Sequence, residues 1–186
     1  YADENLKKDK EVVMQAVKMG GEALRFANDK FKNDKDIIIE AINQNGFSFG
    51  FNYGHALIYS GNKVKKDKDI VIEAVKKWGF CLKYVDKKLK KDKEVVFEAV
   101  KNDGSVLRFA NKSLQNNKKI VLEAVKNFGY ALKYASSKLK KDKSVALAAV
   151  KNSGGAIEYV DKIIRNDPEI VKKAIKQDKY SLRYFN

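Results

Sequence analysis

Residues 88–104, KLKKDKEVVFEAVKNDG, decide the fold. After Asp92, apolar residues fall at steps three, four, seven and eight: Val95, Val96, Ala99 and Val100. Step five, Phe97, is apolar as well. This is the wide face of a helix sandwiched between neighbours. Asp92 reads as the N-cap, because its carboxylate can accept hydrogen bonds from the free N–H groups of the first turn. Glu94 suits the positive end of the helix dipole. Gly104, twelve residues after Asp92, is expected to end the helix.

Outward from this stretch, the string recurs along the whole chain. Its anchors are Asp9, Asp34, Asp67, Asp92, Asn117, Asp142 and Asp167, in steps of 25, 33, 25, 25, 25 and 25 residues. One unit therefore carries eight extra residues. The opening YADENLKK (1–8) matches YVDKKLKK (84–91), so the array starts inside a unit. The chain reads as a single array: a partial unit 1–8, units 9–33, 34–66, 67–91, 92–116, 117–141 and 142–166, and a terminal unit 167–186. Pro168, directly after Asp167, agrees with this register, since the first helical position tolerates proline.

Alanine stands seven residues after every anchor: Ala16, Ala41, Ala74, Ala99, Ala124, Ala149 and Ala174. Such a column marks a place where helices approach too closely for a larger side chain. Glycine holds the twelfth position in all units but the last, which has Lys179. A second helix follows. Its apolar marks are the Leu82, Leu107 and Leu132 column and, two residues on, the Tyr84, Phe109 and Tyr134 column. Each unit is thus a helix of about eleven residues, a glycine turn, a helix of about eight and a short link. Neither helix buries its face alone, so the expected fold is all-α, an α-solenoid of stacked two-helix repeats of about 25 residues.

Composition narrows the function classes. With 44% apolar and 34% charged residues the chain has enough material for a core. One cysteine excludes an internal disulfide framework, and one histidine leaves little for a metal site or a triad. No apolar run is long enough for a membrane span. No secretory signal opens the chain, which begins with Tyr1; a fragment or processed piece, monomeric and intracellular, is expected. The net charge of +15 favours acidic partners, including nucleic acid or an anionic membrane. Only four of the basic residues are arginine, and bidentate phosphate or base recognition prefers arginine.

The combined columns, D-x-E-[IV]-V-x-x-A-[VI]-x-x-x-G-x-x-L-x-[YF]-[AV], resemble a tandem helical repeat family known as domain-of-unknown-function family four-one-one-six. The resemblance covers nearly all 186 residues and departs at the long unit and at Lys179. It implies repeated helical units. It carries no activity, cofactor or catalytic residue to transfer.

Three features are candidate sites. Lysine runs fall at the link before each long helix and would align along one edge of the stack, beside the positive helix ends. Lys65, Lys66, Lys90, Lys91, Lys140 and Lys141 form this ridge. It reads either as an anion-binding surface or as a solvated rim. Unit 117–141 carries +6, from seven basic residues and one acidic, and unit 67–91 carries +4, whereas unit 92–116 is neutral. On the opposite edge, the positions flanking the glycine vary while their neighbours stay constant. Trp78, Phe80, Phe128 and Tyr130 stand there, as a protein-contact patch or as unconstrained loop residues. The long unit adds Phe47, Phe49, Phe51 and Tyr53, an aromatic protrusion or a bulge packed on its neighbours. The tyrosine column beside Arg25, Lys83, Arg108 and Lys133 reads mainly as core with hydroxyls at the rim, and secondarily as a base-stacking platform.

His55 has no partner at ligand spacing, and Cys81 occupies an otherwise Ala, Val or Ser column as a small filler. No catalytic residue, metal or cofactor is expected. The leading expectation is a non-enzymatic scaffold for protein–protein interaction; the alternative is a polyanion binder acting through the lysine edge. Lys172, Lys173 and Lys179 give the last unit a polar outer face, so the array is expected to end near Asn186, and the opposite face to expose core surface.

Overall fold

Each long helix starts where a carboxylate or amide closes its first turn. The Asp92 side chain accepts from the N–H groups of Glu94 and Val95 at 2.9 and 3.1 Å. Asp142 does the same for Ser144 and Val145. The computed structural model of the protein describes Asp3 and residues 5–44 and 55–185. The long helices are Lys10–Met19, Lys35–Asn43, Lys68–Lys77, Lys93–Asn102, Lys118–Asn127, Lys143–Asn152 and Pro168–Gln177. All start directly after their anchors. Among the described residues there is no strand, and no helix is long and apolar enough to cross a membrane.

The units stack into an all-α solenoid, each long helix packing on the next. The residues three, four, seven and eight after the anchor form the core: Val95, Val96, Ala99 and Val100 are fully buried, and so are their counterparts around Ala149. Ala41 to Ala174 are all buried, whereas Ala16 is partly open to solvent. Lys172 and Lys173 are exposed on the last long helix.

The second helix differs from the expectation of one eight-residue α-helix. In most units it is a 3-10 segment of five or six residues, as in Gly104–Phe109, Gly129–Tyr134 and Gly154–Tyr159, whereas in the long unit its described part, His55–Tyr59, is α-helical. A separate single turn follows, such as Lys112–Gln115 or Ser137–Lys140. In a 3-10 helix every third residue shares a face. Gly129, Leu132 and Ala135 are all buried, as are Gly104, Leu107 and Ala110. Each repeat is therefore three-sided.

The glycine does not end the long helix. The residue before it does: Trp78, Asp103, Phe128 and Ser153 are extended, and their N–H groups still bond the alanine carbonyl. Glycine is required by the next unit. A Cβ at Gly79 would lie 2.6 Å from the carbonyl oxygen of Ala99, and one at Gly129 would lie 2.5 Å from that of Ala149. The alanine and glycine columns are two halves of one contact.

Three further ladders join the units. Lys68 bridges to Asp92 and Glu94, both at 2.9 Å, and Lys10, Lys35, Lys118 and Lys143 each reach the next unit's anchor. The anchor of the unit after Lys93 is the uncharged Asn117, so that joint has no such pair. At the far end of the long helix, Asn127 Oδ1 accepts from the Gly104 N–H at 2.8 Å, and its Nδ2 donates to the Lys101 carbonyl at 3.1 Å. Asn102 and Asn152 repeat both bonds. Gln177 repeats them with the Gly154 N–H and the Asn152 carbonyl. Lys77 keeps only the donor half, to the Asn43 carbonyl at 2.6 Å. At the third corner a backbone N–H of each unit donates to the preceding one, as Asp86 to Lys65 at 2.9 Å and Asn111 to Lys90 at 2.9 Å. Gly61 donates to Lys32 in the same way, so the register is restored soon after the long unit's insertion.

Candidate functional site

The lysine ridge divides into two kinds of residue. Lys65 Nζ donates to the Ile58 carbonyl at 3.2 Å and Lys90 Nζ to the Lys83 carbonyl at 2.6 Å. Gln115 and Arg165 occupy the same column and do likewise, to Leu107 and to Glu158 and Val160. This column ties down the end of the 3-10 segment. Burial pushes the ammonium pKa of Lys65 and Lys90 below its ordinary value. Lys140 is half-buried in the same column; burial lowers its pKa, and the charges of Lys112 and Lys133 lower it further. Lys66, Lys91 and Lys141 are exposed.

The helix N-termini on this edge carry their own carboxylates. Burial raises the pKa of Asp142, but hydrogen bonds from Lys118, Ser144 and the Val145 N–H outweigh it and hold the group down at about 2. Asp34, Asp67, Asp92 and Asp167 are lowered as well, with the lysine of the preceding unit among the causes in each case. The positive ends of these helices are thus already neutralised by the chain.

The aromatic residues gather on the 3-10 layer. Phe80 packs edge-on against Phe109 of the next unit, with ring centroids 5.4 Å apart at 86°, and contacts Tyr84 at 6.2 Å. Tyr130 meets Tyr159 of the next unit at 6.3 Å and Phe128 at 5.7 Å. Gly155 makes room for Tyr130, because a Cβ there would collide with the Tyr130 hydroxyl. Phe128 and Tyr130 are exposed; Phe80 is half-buried, and Trp78 is half-buried against the core. Phe47, Phe49, Phe51 and Tyr53 lie outside the described residues.

Cations stand over these rings. The Arg108 guanidinium is 4.7 Å from the Phe109 centroid and 5.6 Å from that of Phe80. Lys83 lies 5.5 Å from Phe80 and 5.2 Å from Tyr84, and Lys133 lies 5.8 Å from Tyr159. Arg25 stands over Phe26 and Tyr59. Lys83, Arg108 and Lys133 are exposed. The structure thus joins two columns that the sequence kept apart, the varying ring after the glycine and the constant ring four residues later. The result is a strip of two ring groups, Phe80–Tyr84–Phe109 and Phe128–Tyr130–Tyr159, each crossing one joint between units and each accompanied by exposed cations.

Among the described residues no three His, Cys, Asp or Glu side chains gather around a metal position. Cys81 is buried, and burial pushes its thiol up to about 12.

Six overlapping stretches of the chain, residues 1–29, 9–52, 51–90, 92–140, 117–165 and 142–186, match the family described as Domain of unknown function (DUF4116). The chain belongs to this family. No curated protein and no solved structure among those compared matches it. In this DUF4116 array the strip crosses the matched stretches. Phe80 lies in one and Phe109 in the next, whereas Tyr130 and Tyr159 both lie in the stretch 117–165. Sequence reasoning had the residues of the strip but not their pairing. The asparagine ladder it missed entirely, although Asn102, Asn127 and Asn152 recur at the array's own period.

Proposed function

We propose that the chain is a non-enzymatic repeat scaffold that holds a protein partner, and that the partner lies along the strip of rings and cations on the 3-10 layer. One observation carries this reading: exposed Lys83, Arg108 and Lys133 stand over half-buried rings, and the rings meet across two of the joints between units, as Phe80 with Phe109 and Tyr130 with Tyr159. Aromatic and arginine side chains in such settings dominate protein-binding energies. The constant columns are occupied by the joints between units, while Phe80, Ser105, Tyr130 and Gly155 vary one face at a time. The excess of cations over acids across units 67–91 and 117–141 favours a partner segment with carboxylates beside apolar groups.

The same geometry weighs against a nucleic acid on this strip. Base stacking needs a free ring face. Here the face of Phe80 is covered by Lys83 and Arg108, and edge contacts bind the rings to one another. The polyanion alternative rests on the exposed Lys66, Lys91 and Lys141. Parallel affinity purification from the source cells separates the two readings. The wild type is compared with a Phe80→Ala/Arg108→Ala/Tyr130→Ala variant and a Lys66→Glu/Lys91→Glu/Lys141→Glu variant. The scaffold reading expects the first variant to lose the protein recovered with the wild type, and the second to keep it at moderate salt. Loss only in the second, with steep salt dependence and binding to a single-stranded oligonucleotide, selects the polyanion reading instead.

A further inference from the structure

The first complete unit presents a face that every later unit has covered. Leu6 occupies the column of Leu89, which is buried, yet it is 46% exposed. Val12 is 39% and Phe26 55% exposed, and Ala16 is the one open member of its column. Together with Val13 and Ala23 they line an apolar groove of about 510 Å³. Asp9 caps its helix through the N–H groups of Glu11 and Val12. Unlike Asp34, Asp67, Asp92, Asp142 and Asp167, it has no lysine partner among the described residues.

The molecule itself shows what fits such a face. At five of the six joints between units, the covering unit brings a lysine at the first position of its long helix, to meet the anchor carboxylate. Among the described residues, Gly21, Gly79, Gly104, Gly129 and Gly154 lie on the alanine carbonyl of the unit they cover. Lys68 and Gly79 do this for Asp92 and Ala99. Met19 stands where Asn102 or Asn127 carries the amide clip, and it is 90% exposed. The joint made by Lys77 lacks the acceptor half of that clip and is still closed by Lys35 and Asp67.

We infer that this face is a docking surface for one further repeat unit of the same kind, bearing Lys at the first helical position and Gly at the start of the 3-10 segment. It does not accept the far face of a second copy. There Pro168 replaces the lysine and Lys179 the glycine, so no ammonium reaches Asp9 at that corner and a long side chain meets the Ala16 carbonyl.

The matching register supplies the test. Because residues 1–8 correspond to 84–91, a copy of residues 67–83 placed directly before Tyr1 completes a unit. The extended protein is expected to unfold about 5 °C higher, with amide exchange across Lys10–Met19 slowed by about tenfold or more. A control extension carries proline and lysine where the copy has Lys68 and Gly79, and it should give neither effect. Equal gains from both extensions, or none from either, overturn the inference. Sedimentation of the unextended protein gives the second reading. It should remain monomeric as concentration rises, and head-to-tail assembly would overturn the rejection of a second copy.

Discussion

The N–H of Gly104 donates to Oδ1 of Asn127 at 2.8 Å, across the boundary between two units. The same amide donates back to the unit that holds Gly104, so one side chain serves two backbone groups. Asn127→Ala leaves both without a partner and should cost about 1–3 kcal/mol. Asn127→Asp keeps the acceptor and loses the donor, and should fall between. Urea unfolding followed by circular dichroism reads both; a neutral alanine variant would remove the ladder from the account of the joints.

Gly129 and Ala149 test the closest approach of successive units. A methyl group at Gly129 has no space beside the Ala149 carbonyl, and Ala99 is fully buried. Gly129→Ala and Ala99→Leu should each destabilise by about 1–3 kcal/mol through overpacking, without loss of helix at low temperature. A thermal melt equal to wild type for either would contradict that contact.

The anchor carboxylates set an acid limit. Asp142 titrates near 2 when folded and near the ordinary Asp value, about 4, when unfolded. A depressed folded pKa means that the unfolded chain binds protons first. The stabilisation is therefore complete above about pH 4 and disappears as pH falls towards 2. Asp34, Asp67, Asp92 and Asp167 act in the same direction. Urea midpoints measured from pH 6 down to 2 should drop through this window. Asp142→Asn should flatten part of the drop, because asparagine still caps the helix but does not titrate.

The joint between units 92–116 and 117–141 lacks the lysine–carboxylate pair, since its anchor is Asn117 and not Asp. Asn117→Asp would supply it. The expected gain is small, a rise of about 1–2 °C in Tm, as for other exposed pairs. It should shrink in high salt, and a rise that is independent of salt would point to capping alone.

Cys81 reports on opening of the array. Its thiol is buried and held protonated well above neutral pH. Alkylation at pH 8 should be slow in the native protein, follow the opening of unit 67–91, and become fast in denaturant. Rapid labelling under native conditions would show that this unit is loosely packed.

The long helices were legible because each carries its own signals within about a dozen residues: an anchor, an apolar face and an acidic first turn. The second layer was misread in kind. Gly129, Leu132 and Ala135 do recur every third residue, but over six residues a 3-10 and an α-helix differ too little in phase to be told apart by apolar spacing. The role of Gly104 was misassigned because glycine after a helix usually signals a left-handed cap, whereas here the constraint comes from Ala124, one unit away. Asn127 and the Phe80–Phe109 pair were invisible for the same reason: their partners lie about one repeat away, and only the stacking offset brings them together. Lys90 looked like free surface charge because nothing local shows that its side chain folds back to Lys83.

The joints have a consequence for inheritance. The contacts that close them use columns shared by most units, and among the described residues each unit packs chiefly on its neighbours. In-frame duplication or loss of one interior unit in the gene would bring together two faces that already fit. Array length is thus open to change in a single genetic step, and the ring-and-cation strip would lengthen or shorten with it. Losing a fraction of a unit is a different event. It would separate Asp, Asn, Ala and Gly from their partners at once, so selection should tolerate changes in the number of repeats far more readily than changes in their length.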